Sequence, residues 1–189
     1  MDNLEKNWNK YYDLCGRFCD HNLTKMLDDL GERIVSAPAS NREPYGFCRP
    51  GGLLEHSLDI ASRSRSMIDK IGGDVSISAV MKVSLLHDLG KIGDLENDLF
   101  IEETSSWHIE KLGQLYKYNE NIRKMTIPHR TLFLLQHYGV KLTPDEWLAI
   151  ATAQGSHLDE NKFYEQGMNR DVLSIILQTS KKLSFTLDS

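Results

Sequence analysis

Residues 77–94 read ISAVMKVSLLHDLGKIGD, in which Ile77, Val80, Met81, Ser84 and Leu85 recur at spacings of three and four. That is the period of one helical face, so the stretch predicts an amphipathic helix, capped near Ser76 or Ser78 and broken at Gly90. His87 and Asp88 close it. Upstream, GGLLEHSLDIASRSRSMIDKIGG at 51–73 sets Leu54, Leu58, Ala61 and Ile68 on one stripe between two GlyGly pairs. This predicts a second helix that begins just before His56 and stops at Gly72 and Gly73.

Working outward, Leu23, Met26, Leu27, Leu30 and Ile34 predict a helix, preceded by a shorter one around Trp8 to Phe18. Between Ser36 and Gly52, three prolines and the glycines Gly46, Gly51 and Gly52 interrupt any periodicity, which predicts a long surface loop of the kind that often carries function. Pro128 sits where a helix running to Gly139 would begin, and TPDE at 143–146 supplies an N-cap and early acids for the next. The last helix is predicted over 172–187. With few alternating patterns, no repeat and no low-complexity tract, the expected class is all-α.

The 189 residues suit one domain with its own core, which we divide into an N-terminal helical segment, 1–35, packed on a main domain, 36–189. At 40% hydrophobic and 26% charged, the composition is that of an ordinary soluble protein. A net charge of −5 argues against nonspecific nucleic-acid binding over the whole surface, though a local basic groove is compatible with it. Cys15, Cys19 and Cys48 cannot all pair and form no CxxC, so reduced thiols are expected. The first residues lack an apolar signal core, and no run approaches the roughly 18 apolar residues of a membrane span. A cytoplasmic protein without a membrane partner is the expectation.

A His and an Asp at a helix end offer an imidazole nitrogen and a carboxylate to one divalent cation, and taken alone they are more often caps. Their setting, SLLHDLG, changes the balance, because a carboxylate among buried leucines is costly unless paired or metal-bound. His56, on the neighbouring helix, is the natural third donor.

Together, GGLLEHS at 51–57 and LLHDLGKIGD at 85–94 resemble the two leading motifs of the HD phosphohydrolase superfamily. The first is similar in flavour to HD domains attached to 3′-to-5′ exoribonucleases, and IPHRTLFLLQHYG at 127–139 resembles small stand-alone HD proteins of phages and bacteria. The resemblance spans about 36–187. It implies a helical bundle and a divalent ion (manganese, iron, zinc, nickel or magnesium) held by His56, His87 and Asp88. It further implies hydrolysis of a phosphoester in a nucleotide or short nucleic acid.

On this resemblance Lys91 would neutralise a substrate phosphate, or else be a solvated lysine or helix cap. Asp94 would orient a water or cap a turn. His129 stands where two-metal members use a further histidine, and with Arg130 it could instead grip an anion at a helix N-terminus. Two positions depart from the pattern. Ala153 occupies the place of a ligand histidine, and the closing Asp aligns with Ser180, which shares a face with Ile176, Leu183 and Leu187; Asp171 is the nearest alternative acid.

The other histidines have plainer readings: His21, His137 and His157 lie near helix ends, and His108 follows Trp107 in a segment without a clear pattern. Arg63 is expected in solvent, and Trp107, Tyr116 and Tyr118 in the core rather than on a base. The leading expectation is a metal-dependent phosphohydrolase. The alternative is a catalytically reduced HD domain that binds a nucleotide or a protein partner without turnover. Alanine at His87 or Asp88 is expected to lower metal content and leave the fold largely intact.

Overall fold

The structure, a computed structural model, describes residues 3–71, 75–155, 158–164 and 171–187. The fold is all-α, with one two-stranded sheet among the described residues. Its helices are α1 (Asn3–Phe18), α2 (His21–Ser36), α3 (Gly52–Ile71), α4 (Ile77–Leu86), α5 (Ser106–Leu112), α6 (Ile127–His137), α7 (Pro144–Ala151) and α8 (Val172–Leu187). Strands β1 (Phe100–Glu102) and β2 (Tyr116–Tyr118) pair antiparallel on either side of α5. Gly72, Gly73, His157 and the side chain of Leu187 lie outside the described residues.

Side-chain caps set the helix starts, two of them, at α4 and α7, read from the sequence. The Ser76 hydroxyl accepts from the Ala79 amide to begin α4, and Thr126 does the same for His129 at α6. At α7 the Thr143 and Glu146 side chains exchange hydrogen bonds with each other's backbone amides, a complete capping box. The N-terminal helix is longer than expected, starting at Asn3 instead of near Trp8. Ile77 is 40% exposed, so the buried stripe of α4 begins at Val80.

Helix α3 is central. It packs against α1, α2, α4 and α8, while α4 also meets α7 and α8, and α6 lies on the 3-10 turn Leu89–Ile92 that follows α4. Leu54, Ile60, Val83, Leu86, Leu135 and Leu177 are fully buried where these helices meet. Each such side chain contributes about 1.5–3 kcal/mol relative to exposure. The Tyr11 hydroxyl of α1 donates to the Leu85 carbonyl at 2.9 Å, fixing the N-terminal helices onto the end of α4 that carries His87.

The segment between α2 and α3 is not the surface crossing that its prolines suggest. Ala37, Ala39, Phe47 and Cys48 are buried in it, and Phe47 takes φ 51°, a left-handed conformation uncommon for a side chain of that size. All three cysteines are free thiols. Trp107 and Tyr118 are 59% and 58% exposed, against the core position expected of them. No helix among the described residues is long and apolar enough to cross a membrane.

One ion pair ties α4 to α7. Lys82 Nζ lies 2.9 Å from Glu146 Oε2 and donates to the Lys141 carbonyl, and that same Glu146 oxygen accepts from the Thr143 amide at 2.9 Å. Glu146→Gln keeps an acceptor for the cap but loses the charge beside a largely buried ammonium. We expect a loss of about 1–2 kcal/mol in urea unfolding, and an unchanged midpoint would show that the pair contributes nothing.

Candidate metal centre

Helices α3 and α4 are the closest-packed pair around the site, and their contact brings the two motifs together. His56 lies one turn into α3; His87 is the C-cap of α4, and Asp88 follows it before the chain tightens into the 3-10 turn. All three are buried, at 0%, 0% and 1% exposure. Their donor atoms lie within 4.8 Å of one another, so the cluster could hold a metal ion.

The turn is held by α6. The Gly90 amide donates to the Thr131 hydroxyl at 2.8 Å, and that hydroxyl donates to the His87 carbonyl at 3.1 Å. Thr131 thus fixes both ends of the His87–Gly90 segment. The Phe47 ring covers the other side, its centroid 5.1 Å from that of His56.

The His87 ring has a defined tautomer. Nδ1 lies 2.9 Å from the Ser84 carbonyl oxygen, which can only accept, so Nδ1 carries the proton and Nε2 a lone pair. That lone pair faces Asp88 Oδ2 at 3.5 Å, and His56 Nδ1 stands 3.7 Å from the same oxygen. Burial, with the nearby lysines, pushes both imidazoles toward the neutral form. Donor types and spacing suit a divalent cation.

The cations already present are ammonium groups. Lys91 Nζ lies 2.6 Å from Asp88 Oδ2, and Lys181 Nζ, from α8, lies 2.8 Å from Asp88 Oδ1. Both lysine side chains are mostly buried, at 11% and 14% exposure. Burial would raise the Asp88 carboxyl, but Lys181 and Lys91 outweigh it and hold the group well below the usual carboxylate range. Burial pushes the Lys91 ammonium down, with Asp88 opposing. Each carboxylate oxygen keeps a further lone pair, but a dication taking one would share Asp88 with two ammoniums and be repelled by both. In spacing the three donors fit an ion; in charge, the site as it stands does not.

Of the other residues singled out in the sequence, Lys91 pairs with Asp88. The Asp94 carboxylate accepts from the Glu96 and Asn97 amides, capping the turn after the motif. His129 is exposed on the first turn of α6. Arg130 is 2% exposed, and its guanidinium donates to the Arg123 carbonyl at 2.8 Å, with Gly90 O at 3.5 Å. It braces the approach to α6.

The departures look different in the structure. Ala153 is buried and offers no donor. Ser180 is not the residue of α8 that faces Asp88: its hydroxyl hydrogen-bonds Ser64 at 3.0 Å and points at the Met67 sulfur, and Leu183 is 40% exposed, off the shared face. Lys181 is the residue that faces Asp88. Asp171 accepts from the Leu173 amide and the Ser174 hydroxyl, capping α8 away from the cluster. His21 and His137 are exposed, His108 pairs with Glu103, and Arg63 pairs with Asp59 at 2.6 Å.

The chain matches no protein-family model, no curated protein and no solved structure.

Proposed function

We propose that this chain is an HD-type domain of the cytoplasm that binds the phosphate of a nucleotide or short nucleic acid, with phosphoester hydrolysis reduced relative to metal-dependent members. The observation that carries the reading is the meeting of two lysine ammoniums on a single buried carboxylate, that of Asp88, beside two imidazoles held toward neutrality. One negative and two positive charges leave a net positive centre, which suits an anion better than a dication.

A cavity of about 470 Å³ opens beside Lys91 and includes Arg33, Phe100 and Tyr116 in its walls. That volume lies within the roughly 300–1,000 Å³ range of small-molecule sites. Asp98 and Glu102 also line the cavity; Arg33 matches Asp98 at 2.6 Å, and Glu102 is a negative charge that a bound phosphate must keep away from. A phosphate would meet Lys91, and Phe100 and Tyr116 supply aromatic surface for a base.

Titration calorimetry with mononucleotides, a dinucleotide and pyrophosphate in metal-free buffer tests this. Binding of at least one ligand is expected with a dissociation constant below about 1 mM, and Lys91→Met should weaken it about tenfold. Absence of binding across the set would sink the reading. The facing lone pairs of His87 Nε2 and Asp88 Oδ2 favour a second reading, a metal-dependent phosphohydrolase with the ion on His56, His87 and Asp88. In that reading the ion shares Asp88 with Lys91 and Lys181 and must overcome their repulsion. It predicts near-stoichiometric metal in protein purified without an affinity tag, and turnover in a nucleotide and cyclic-nucleotide screen with manganese.

A further inference from the structure

We propose that Lys181 is a resident cation: its ammonium on Asp88 Oδ1, added to Lys91 on Oδ2, supplies the positive charge that a divalent ion would otherwise bring, so the site is built to work without metal. The inference deepens the phosphate-binding reading above and rests on it for its functional meaning, though not for its geometry.

Three observations support it. A buried carboxylate with imidazoles on one side needs a positive partner, because leaving it alone in a low-dielectric pocket is expensive. Lys91 already comes from the same turn, three residues along, and is at 2.6 Å from Oδ2. The chain nevertheless brings a second ammonium from a helix far away in sequence, and sets it on the other oxygen, Oδ1, at 2.8 Å. Lys181 therefore takes the side of Asp88 that Lys91 leaves open and carries the cluster past neutrality to a net positive charge.

The seat of Lys181 is fixed by packing. Ser180, its neighbour, is fully buried and hydrogen-bonded to Ser64 of α3, and Ile176 and Leu177 anchor the preceding turn of α8 in the core. Four residues on from Leu177, the Lys181 side chain runs along the flank of the buried face, with its amine reaching inward. The imidazoles stand on the Oδ2 side of Asp88, with His87 Nε2 at 3.5 Å and His56 Nδ1 at 3.7 Å from that oxygen. An added dication would face two ammoniums and compete with both for one carboxylate.

The test is metal binding itself, read independently of any activity. Protein purified without an affinity tag and dialysed against chelator is titrated with manganese and with zinc by calorimetry, alongside Lys181→Met and Lys181→Asp. The parent should hold no stoichiometric metal by elemental analysis, and its thermal midpoint should not move with chelator or manganese. Lys181→Asp removes a positive charge and adds a carboxylate at the open side of Asp88, and should bind one ion at least about 100-fold more tightly than the parent. Lys181→Met should gain a smaller part of that increase. Circular dichroism establishes that each variant is helical, and the parent measurement stands even where a variant fails to fold.

Near-stoichiometric metal retained by the parent would overturn the proposal. So would a folded Lys181→Asp that binds no tighter. Nucleotide binding in metal-free buffer separates the two readings: its absence in a metal-free parent sinks the phosphate-binding reading and leaves the role of Lys181 intact, whereas tight metal in a parent that binds nucleotide does the reverse.

Discussion

Asp88→Ala is expected to destabilise the protein by about 3–5 kcal/mol, the range for removing one partner of a buried charge cluster. Asp88 is 1% exposed and is the counter-ion of both Lys91 and Lys181, whose side chains are 11% and 14% exposed. Without the carboxylate, two ammoniums would face each other across a pocket walled by imidazoles. The sequence reading suggests the opposite, that alanine here spares the fold, because it puts no second lysine on Asp88. A double variant separates charge from packing: Asp88→Ala with Lys181→Met should recover at least about 1 kcal/mol of the loss, because it removes one of the stranded charges. Urea unfolding of the parent, both single variants and the double variant gives the coupling directly. A loss under about 1 kcal/mol in Asp88→Ala would mean that water reaches the ammoniums and that the site is not the closed cluster described above.

Much of the fold is legible in the sequence because its signals are local. The stripes of α2 and α3, the caps at Ser76 and Thr143 and the first-turn Pro128 depend on side chains within a few residues, and the structure places helices there. The meeting of His56 with His87 and Asp88 was legible through two apolar helices, one carrying His56 in its first turns and the other ending at His87 and Asp88. The role of Lys181 was not. On a helical face, one residue is a rotation of about 100°, so choosing Ser180 over Lys181 exchanged a hydroxyl bonded to Ser64 for the ammonium on Asp88. Periodicity sends a lysine beside a buried stripe to solvent, and only its partner, far away in sequence, reverses that. A signal existed in the spacing Leu173, Leu177, Lys181, which continues the inward row by four. Strands β1 and β2 were too short to show an alternating pattern, and Asp94 followed by Asn97 reads as a capped turn, which is how the structure uses it. Thr131 was missed because a threonine within an apolar helix gives no hint that its hydroxyl bridges another turn.

Gly52→Ala should cost about 3 kcal/mol or more, at the upper end of overpacking penalties, and it explains why a glycine must precede His56. A methyl carbon built on Gly52 would stand 2.0 Å from the Phe47 carbonyl oxygen, 2.9 Å from its carbon and 3.2 Å from the Ala39 amide nitrogen. These are all backbone atoms, so no flexible side chain can swing away. Relief requires moving either the start of α3 or the buried segment that carries Phe47. Both belong to the site, since α3 positions His56 and the Phe47 ring covers it. The variant should therefore lose stability and also disturb the cluster, lowering whatever ligand affinity the parent shows. Gly16→Ala is the matched control, because that glycine lies within α1 with nothing within 4 Å of an added carbon. It should raise stability by up to about 1 kcal/mol through helix propensity and a less flexible unfolded chain. Urea unfolding midpoints of the two variants should move in opposite directions from the parent. A Gly52→Ala midpoint within error of the parent would show that α3 does not press on the Phe47 backbone, and the account of how this motif seats His56 would have to be abandoned.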